Sequence, residues 1–242
     1  MITPEQLISQ ARNAGRTALD ELAGKQLLAA YGLTVPKAIV VRSAAESGAA
    51  LAGLKGPFAV KVVARDILHK SDVGGVKVNV GMVADVEETI KAMMRQPAIS
   101  NARVEGFLIE EMAPAGQEIV IGGMRDEQFG PLLMVGLGGV FVELLADVAF
   151  RICPITRLDA GEMLDELKGA AILKGVRGRK PVSREAIIDA LLKVGGDGGL
   201  LMRHADDVKE ADINPLIVSD TGAIAVDARF ILTESRSEGV KE

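Results

Sequence analysis

The chain has 242 residues, of which 48% are apolar and 25% are charged, the balance of a folded globular protein. A net charge of -5 with interspersed acids and bases argues against nucleic-acid binding, and the polar N-terminus and short apolar runs argue against a signal peptide or membrane span. The single cysteine, Cys153, excludes an internal disulfide and fits a reducing compartment, so we expect a cytoplasmic protein.

The first half of the chain is predicted to mix helices and strands. A helix over Thr3–Asn13 has Thr3 as its cap and Pro4 at its first position, and a second helix runs from about Leu19 to Tyr31. Further on, the pattern predicts strands over Lys37–Val41, Phe58–Val63 and Gly75–Val80, a helix beginning near Ser43 and a helix over Val86–Met94.

The second half is richer in strands. Strands Glu105–Met112 and Gln117–Met124 are joined across the corner Ala113–Gly116, which is the best candidate for a hinge between two lobes. The rest of the pattern comprises strands within 131–136 and 149–155, helices near Asp159–Lys168 and Ser183–Val194, and a closing hairpin of residues 212–218 and 223–229. The predicted fold class is α+β, with mixed α/β elements.

The closing hairpin places three oxygen-bearing side chains together. If its turn is centred on Asp220 and Thr221, Asn214 lies directly opposite Asp227, with Cβ atoms roughly 5 Å apart. Asp212 shares a face with Asn214, because side chains alternate along a strand. Two carboxylates and an amide are hard oxygen donors that suit Mg²⁺. A solvated polar face on an edge hairpin explains the same spacing, and only the apolar flanks favour a site.

Charged residues in and near the strands before the hinge are candidates for nucleotide contacts. Lys61 lies among apolar neighbours and suits a phosphate, although a lysine that reaches solvent from a strand is the more common case. Glu110, Glu111 and Glu118 surround the hinge and suit ribose hydroxyls or an exocyclic amine, or are simple strand-end charges. Lys25 is interpreted as a helix-surface lysine. Arg151 either holds phosphate or pairs with Asp147.

The glycine-rich segments exclude two common nucleotide motifs. No GxxxxGK[ST] occurs, and Phe141 stands where the third glycine of GxGxxG belongs, so neither a Walker loop nor a Rossmann fingerprint is present. If phosphate is bound, the double glycine Gly74 and Gly75 can present backbone amides to it.

His69 lies in the loop "DILHKSDVGGV" beside Lys70, Ser71 and Asp72. A zinc site lacks clustered ligands and no GxSxG nucleophile occurs, whereas a lone histidine beside a cation and a glycine pair suits a phosphoryl carrier. A loop histidine without chemistry is the alternative. His204 and Cys153 are interpreted as a surface histidine and a buried small apolar residue.

Taken together, several segments resemble the ATP-grasp β subunit of ADP-forming acyl-CoA (acetyl-CoA) synthetases, relatives of the succinyl-CoA synthetase β subunit. They occur in the family's order between about Leu19 and Leu232, and they are "DELAGKQLLAAYGLTVP", "AVKVVARDILHKSDVGGVKV", "FLIEEMAPAGQEIVIGGMRD", "GLGGVFVELLADVAFRICPI", "ADINPLIV" and "AVDARF". The chain departs from the family in "VVARD", where a Ser-Pro pair is usual, and in "AGK", where Glu-Ala-Lys is usual.

The resemblance implies two α+β lobes that clamp a nucleotide. It divides the chain into a helical arm (1–18), an N-terminal lobe with the histidine loop (19–111) and a C-terminal lobe with the metal-binding hairpin (112–242). ATP or ADP and Mg²⁺ would be bound, with Lys61 on the phosphates, Glu110 and the Glu111–Met112 backbone on adenine, Glu118 on the ribose or metal side, and Asn214 and Asp227 on the metal.

The resemblance also implies a role for His69 and a partner. His69 would carry a phosphoryl group, with Asp212 close by to orient the imidazole, and would pass it to an α subunit that holds the CoA-binding domains. Two alternatives stay open. One is a stand-alone ATP-grasp carboxylate–amine ligase that forms an acyl phosphate directly, and the other is a non-catalytic nucleotide-binding subunit.

Overall fold

The computed structural model describes residues 2–67, 70–139, 146–175 and 180–234. Its α-helices are α1 (Pro4–Asn13), α2 (Glu21–Ala30), α3 (Ser47–Ala50), α4 (Val83–Met94), α5 (Pro97–Ser100), α6 (Arg157–Glu166), α7 (Arg184–Gly195) and α8 (Leu200–Arg203). Its strands are β1 (Ala18–Leu19), β2 (Ala38–Val41), β3 (Phe58–Ala64), β4 (Val76–Val80), β5 (Val104–Glu111), β6 (Gln117–Asp126), β7 (Gly130–Leu137), β8 (Val148–Ile152), β9 (Val208–Val218), β10 (Ala223–Ala225) and β11 (Arg229–Leu232). Within these ranges, none of the helices combines the length and apolarity needed to span a bilayer.

Local sequence signals account for the helix starts. The Thr3 hydroxyl accepts a hydrogen bond from the Gln6 amide, and the Gln6 side-chain oxygen accepts one from the Thr3 amide, which forms a capping box at α1. The second helix begins at Glu21, behind the cap Asp20, and not at Leu19 as predicted. The difference arises because residues 18 and 19 pair with β11 as a short strand.

The chain divides into two compact units. Unit 1 comprises Met1–Val35 and Pro114–Glu242, and unit 2 comprises Pro36–Ala113. The predicted lobes differ, because they assigned residues 19–35 to the N-terminal lobe and 1–18 to a separate arm. Both segments belong to unit 1, since α1 and α2 bury apolar side chains such as Leu7 and Leu27 in its core.

Unit 1 is built on an antiparallel sheet with the order β1-β11-β9-β6-β7-β8, and β10 pairs with β9. One face of this sheet supplies the core, in which strand residues such as Ile121, Leu133 and Ile213 join residues of α1, α2, α6, α7 and α8. The alternate residues of β9 lie on the other face: Asp212 and Asn214 are exposed. The period of two therefore places the hairpin's polar residues opposite the core.

Unit 2 is a smaller antiparallel sheet with the order β2-β5-β3-β4. Its core contains Val60 and Val62 from β3, Phe107 from β5 and Ile90 from α4. Strand β3 lies between β5 and β4, so Lys61 occupies a central strand.

Candidate functional site

The predicted hairpin register is confirmed by the pairing of β9 with β10 and β11. Ala225 pairs with Leu216 on one side of the predicted pair and Arg229 pairs with Asp212 on the other. Between them, the Asn214 amide donates a hydrogen bond to the Asp227 carbonyl oxygen at 3.3 Å. Asn214 therefore lies opposite Asp227 on the backbone, as the turn position requires.

Electrostatics show that Asp212 and Asp227 lie close enough to interact. The pKa of Asp212 is raised. The main cause is burial of part of this otherwise exposed side chain, which disfavours the charged form, and the second cause is repulsion from Asp227, while Arg229 opposes the shift. One carboxylate oxygen of Asp227 accepts a hydrogen bond from the Ala228 amide at 2.8 Å, which fixes its orientation. Two carboxylates that repel each other form a place where a cation lowers the electrostatic free energy.

The hairpin residues fit a magnesium ion that also binds phosphate or water. Asp212, Asn214 and Asp227 offer two carboxylates and one amide oxygen, which are hard ligands. Within the described ranges, no group of three or more His, Cys, Asp or Glu side chains forms a complete metal cage. Mg²⁺ characteristically uses one or two carboxylates and takes its other ligands from water and substrate phosphates.

Lys61 is buried and paired, which corrects the solvated-lysine alternative. Its side chain is 9% exposed and its ammonium lies 2.7 Å from a carboxylate oxygen of Glu110, itself 3% exposed on the side chain. The two residues are diagonal neighbours on one face, because Ala59 of β3 is opposite Glu110 and Lys61 is opposite Leu108. Unit 2 therefore holds both charges preformed and mutually neutralised.

The strand end predicted to hold adenine has its backbone donors occupied. The Glu111 amide donates to the Lys37 carbonyl and the Met112 amide donates to the Pro57 carbonyl, both at 3.0 Å. The Glu111 carboxylate accepts a hydrogen bond from the Lys55 amide at 2.8 Å. Any base contact from Glu111 and Met112 must therefore use their carbonyl oxygens or side chains.

Glu118 lies in unit 1, near the start of β6. Its carbonyl oxygen accepts a hydrogen bond from the Gly138 amide at 2.7 Å, and its carboxylate is exposed beside Gly139. The position leaves the carboxylate available to a hydroxyl or a cation.

The predicted histidine, His69, lies outside the described residues. Its downstream flank is described, and there the structure contradicts the proposed amide cradle. The Gly75 amide donates to the Lys70 carbonyl at 2.7 Å, and the Gly74 amide donates to the Ser71 carbonyl at 3.1 Å. Both donors close the loop on itself, so Gly74 and Gly75 shape the turn and do not present free amides to an anion.

Two interpretations made from sequence are wrong, because the side chains are buried and not at the surface. Lys25 is 1% exposed and its ammonium lies 2.8 Å from Glu21, one helical turn earlier. The spacing of a glutamate four residues before a lysine was the available signal. His204 is 3% exposed and packs edge-on against Tyr31.

Arg151 does not pair with Asp147. Its Nη1 donates a hydrogen bond to Oε2 of Glu166 at 3.0 Å. The buried carboxylate of Asp147 instead accepts hydrogen bonds from the backbone amides of Lys168 and Gly169, at 2.7 and 2.8 Å. Cys153 is buried as predicted, and burial raises the pKa of its thiol to about 11.

Comparison with known proteins gives matches over nearly the whole chain. A family model described as an ATP-grasp domain matches residues 10–232. The chain is 41% identical over 229 residues to the β subunit of acetate–CoA ligase (ADP-forming) I of Pyrococcus furiosus, covering 94% of this chain and 97% of the relative. It is 43% identical over 213 residues to acetate–CoA ligase (ADP-forming) I of Archaeoglobus fulgidus, covering 87% of this chain but only 30% of that relative.

Solved structures agree. The fold superposes with a TM-score of 0.89 at 39% identity on dinucleotide-forming acetyl-coenzyme A synthetase 1 of Ca. Korarchaeum cryptofilum in complex with coenzyme A, Ca-AMPCP and HgCl⁺, covering 96% of this chain and 100% of the other. A second structure of that protein, with Mg-AMPPCP, has its phosphohistidine segment pointing towards the nucleotide-binding site (TM-score 0.83, 37% identity, the same coverage). With this fold and these relatives, the chain belongs to the ATP-grasp family, in the group that includes the β subunits of ADP-forming acetate–CoA ligases.

Proposed function

We propose that this chain is the nucleotide-binding subunit of an ADP-forming acyl-CoA synthetase, an enzyme that joins an acid to a thiol. The observation that carries the proposal is the alignment with relatives named as β subunits, which for the Pyrococcus ligase I relative covers 94% of this chain and 97% of that relative. The repelling carboxylates of the hairpin support it, because they fit the metal that accompanies a nucleotide.

A small set of charged and polar side chains binds the nucleotide and its metal. In unit 2, Lys61 contacts phosphate, and Glu110, which the resemblance assigns to adenine, also positions the Lys61 ammonium through their 2.7 Å ion pair. In unit 1, Asn214 and Asp227 hold Mg²⁺, which when bound neutralises charge on the phosphates. Glu118, exposed near the start of β6, reaches the ribose or the metal.

His69 carries the phosphoryl group. A ring nitrogen forms a bond to the γ-phosphorus of ATP, the bond from that phosphorus to the bridging oxygen breaks, and ADP leaves. The reverse step regenerates ATP from the phosphohistidine. The role proposed for Asp212 is to orient the imidazole, as carboxylates commonly do for histidine.

The partner is a subunit that carries the CoA-binding domains. This chain covers 97% of the Pyrococcus relative, which is named as a β subunit, but only 30% of the Archaeoglobus relative. We propose that a separate α subunit works with this chain in the cytoplasm, where the phosphohistidine is consumed in acyl-CoA formation.

Intact-mass spectrometry after incubation with ATP and Mg²⁺ tests the histidine. We expect the chain to gain one phosphoryl group that is labile in acid, and we expect His69→Ala to lose this gain completely. His204→Gln is the matched control, since it alters the other histidine and should keep the label. A melting curve for each variant separates loss of chemistry from loss of fold.

Other results would select the alternatives. ATP turnover that requires a carboxylate and an amine, without labelling of the protein, would indicate a carboxylate–amine ligase. ATP binding without any transfer, even with the α subunit present, would indicate a non-catalytic subunit.

A further inference from the structure

The face of the unit 1 sheet opposite the core is apolar over three neighbouring strands. Strand register assembles it: Phe150 of β8 pairs with Met134 of β7, and Ile152 pairs with Leu132, which in turn pairs with Met124 of β6. Since these residues alternate with core residues such as Leu133 and Ala149, their side chains share one face. We call this set, Met124, Leu132, Met134, Phe150 and Ile152, the apolar face.

The apolar face is unusually exposed for such side chains. Phe150 is 54% exposed, Ile152 is 52% and Met124 is 47%. Contiguous exposed patches of this kind, rich in aromatic and methionine side chains, are typical of protein–protein interfaces. The fold does not require them, because the core of unit 1 is built from the opposite face of the same strands.

The apolar face continues directly into the proposed metal hairpin. Gly122 pairs with Met134 on one side and with Asp212 on the other, and Asp212 pairs with Arg229. A groove of about 400 Å³ follows this row, from Phe150 to Arg229. A Cβ on Gly122 would lie 2.9 Å from the Met134 methyl carbon, so the glycine keeps the middle of the groove open.

The extent of the apolar face favours a protein over a small molecule as its binding partner. A groove of this volume can hold a ligand, but the apolar surface extends past it to Ile152, on the outermost strand of the sheet. An apolar centre with Glu210 and Arg229 at its border is the pattern of an interface core with a charged rim.

Resting on the proposed function, we propose that the apolar face is the surface on which the α subunit docks. The Pyrococcus relative, of which this chain covers 97%, is named as a β subunit, so a partner subunit is the occupant that the comparisons favour. A subunit seated on the apolar face reaches Asp212 and Arg229, at the edge of the proposed metal hairpin. Its contacting surface is apolar, with a basic group facing Glu210 and an acidic group facing Arg229.

The test compares two phenylalanines of equal exposure. Phe150 lies on the apolar face and Phe129 lies in the turn between β6 and β7, and each is 54% exposed. The probe is the α subunit that restores acyl-CoA formation to this chain. Wild type, Phe150→Glu and Phe129→Glu are titrated against a fixed amount of it, and phosphorylation by ATP is measured separately for each.

We expect Phe150→Glu to raise the half-saturating concentration of the chain at least tenfold and to keep its phosphorylation by ATP without the α subunit. Phe129→Glu should titrate as wild type. Equal titration of the two variants, with phosphorylation intact, overturns the docking surface alone. A wild-type chain that is never phosphorylated overturns the proposed function and the docking surface with it. If the chain self-associates, and if Phe150→Glu abolishes this self-association without changing the titration, the apolar face binds a second copy of the chain. That result overturns the proposal that it binds the α subunit.

Discussion

The two units treat their charges in opposite ways. In unit 2, Lys61 and Glu110 are both buried and neutralise each other at 2.7 Å. In unit 1, Asp212 and Asp227 repel each other on the exposed side of the sheet, and Arg229 only partly offsets the repulsion. The first arrangement pairs opposite charges, whereas the second brings like charges together, and a cation would reduce their repulsion.

The ion pair of unit 2 has its partner charge in place, whereas the carboxylates of unit 1 carry charge that a cation would offset. A buried ion pair costs desolvation, so it adds little net stability, but it holds a lysine ammonium at a fixed point. Carboxylates near one another cost stability until a metal binds, which couples binding to the charge of the ligand. Reactions of phosphates need both kinds of element, because catalysis depends on positioning and on charge neutralisation.

Breaking the ion pair of unit 2 should have the largest effect on stability. Lys61→Met leaves a buried carboxylate without its lysine, and Glu110→Gln leaves a buried ammonium without its carboxylate, each at a cost of about 3–5 kcal/mol. Chemical denaturation of the two variants measures the loss.

Lys91→Met in the same unit is the matched control. Lys91 pairs with Glu87 and Glu88 at 2.9 and 3.0 Å but is 46% exposed, so its removal should lower the free energy of unfolding far less than the removal of Lys61. The double variant Lys61→Met with Glu110→Leu should be more stable than either single variant. If the Lys61 and Lys91 variants unfold at the same denaturant concentration, Lys61 is not a buried charge.

Sequence reasoning predicted the structure correctly where local rules decide the geometry, as at the closing hairpin. The hairpin turn fixes the register, so the pairing of Asn214 with Asp227 followed from counting alone. It failed for Lys25 and His204, whose burial depends on packing against residues distant in the chain. It also failed at Gly74 and Gly75, because a glycine pair does not reveal whether its amides face a ligand or the loop itself.

Substitution of Gly75 in unit 2 should have a smaller effect on stability than breaking the Lys61–Glu110 ion pair. A Cβ at position 75 would lie 2.6 Å from a Val62 methyl group and 2.9 Å from the Lys70 carbonyl oxygen. Gly75→Ala should therefore destabilise unit 2 by roughly 1–3 kcal/mol and slow phosphorylation of the adjacent His69.

Gly74→Ala is its control. Position 74 has a φ of +69° with nothing within 4 Å of a Cβ, so only backbone strain of about 1 kcal/mol is expected there. A Gly75→Ala variant that unfolds and transfers phosphate as wild type would show that the loop does not close through this turn.

The smallest effect, and the one of opposite sign, is expected at Asp212. A carboxyl whose pKa is raised by folding binds its proton more tightly in the folded state, so it opposes folding above that pKa and ceases to do so as the pH falls below its ordinary value. Asp212→Asn removes the charge and should raise the melting temperature slightly at pH 7 without metal. The difference between variant and wild type should shrink towards pH 4.

Glu166, an exposed carboxylate whose pKa is lowered by folding, provides a reference variant with the opposite expected effect on the melting temperature. The guanidinium of Arg151 lowers the pKa of Glu166, so Glu166→Gln should lower the melting temperature at neutral pH, and this loss should also fade in acid. Adding Mg²⁺ with a non-hydrolysable ATP analogue should then narrow the difference between wild type and Asp212→Asn, because the cation offsets the repulsion between Asp212 and Asp227 in the wild type. Melting curves with and without the metal complex at pH 7 and pH 4 measure all three effects. An Asp212→Asn chain that melts below wild type in the absence of metal would show that Asp227 does not repel Asp212, and the hairpin would lose its case as a cation site.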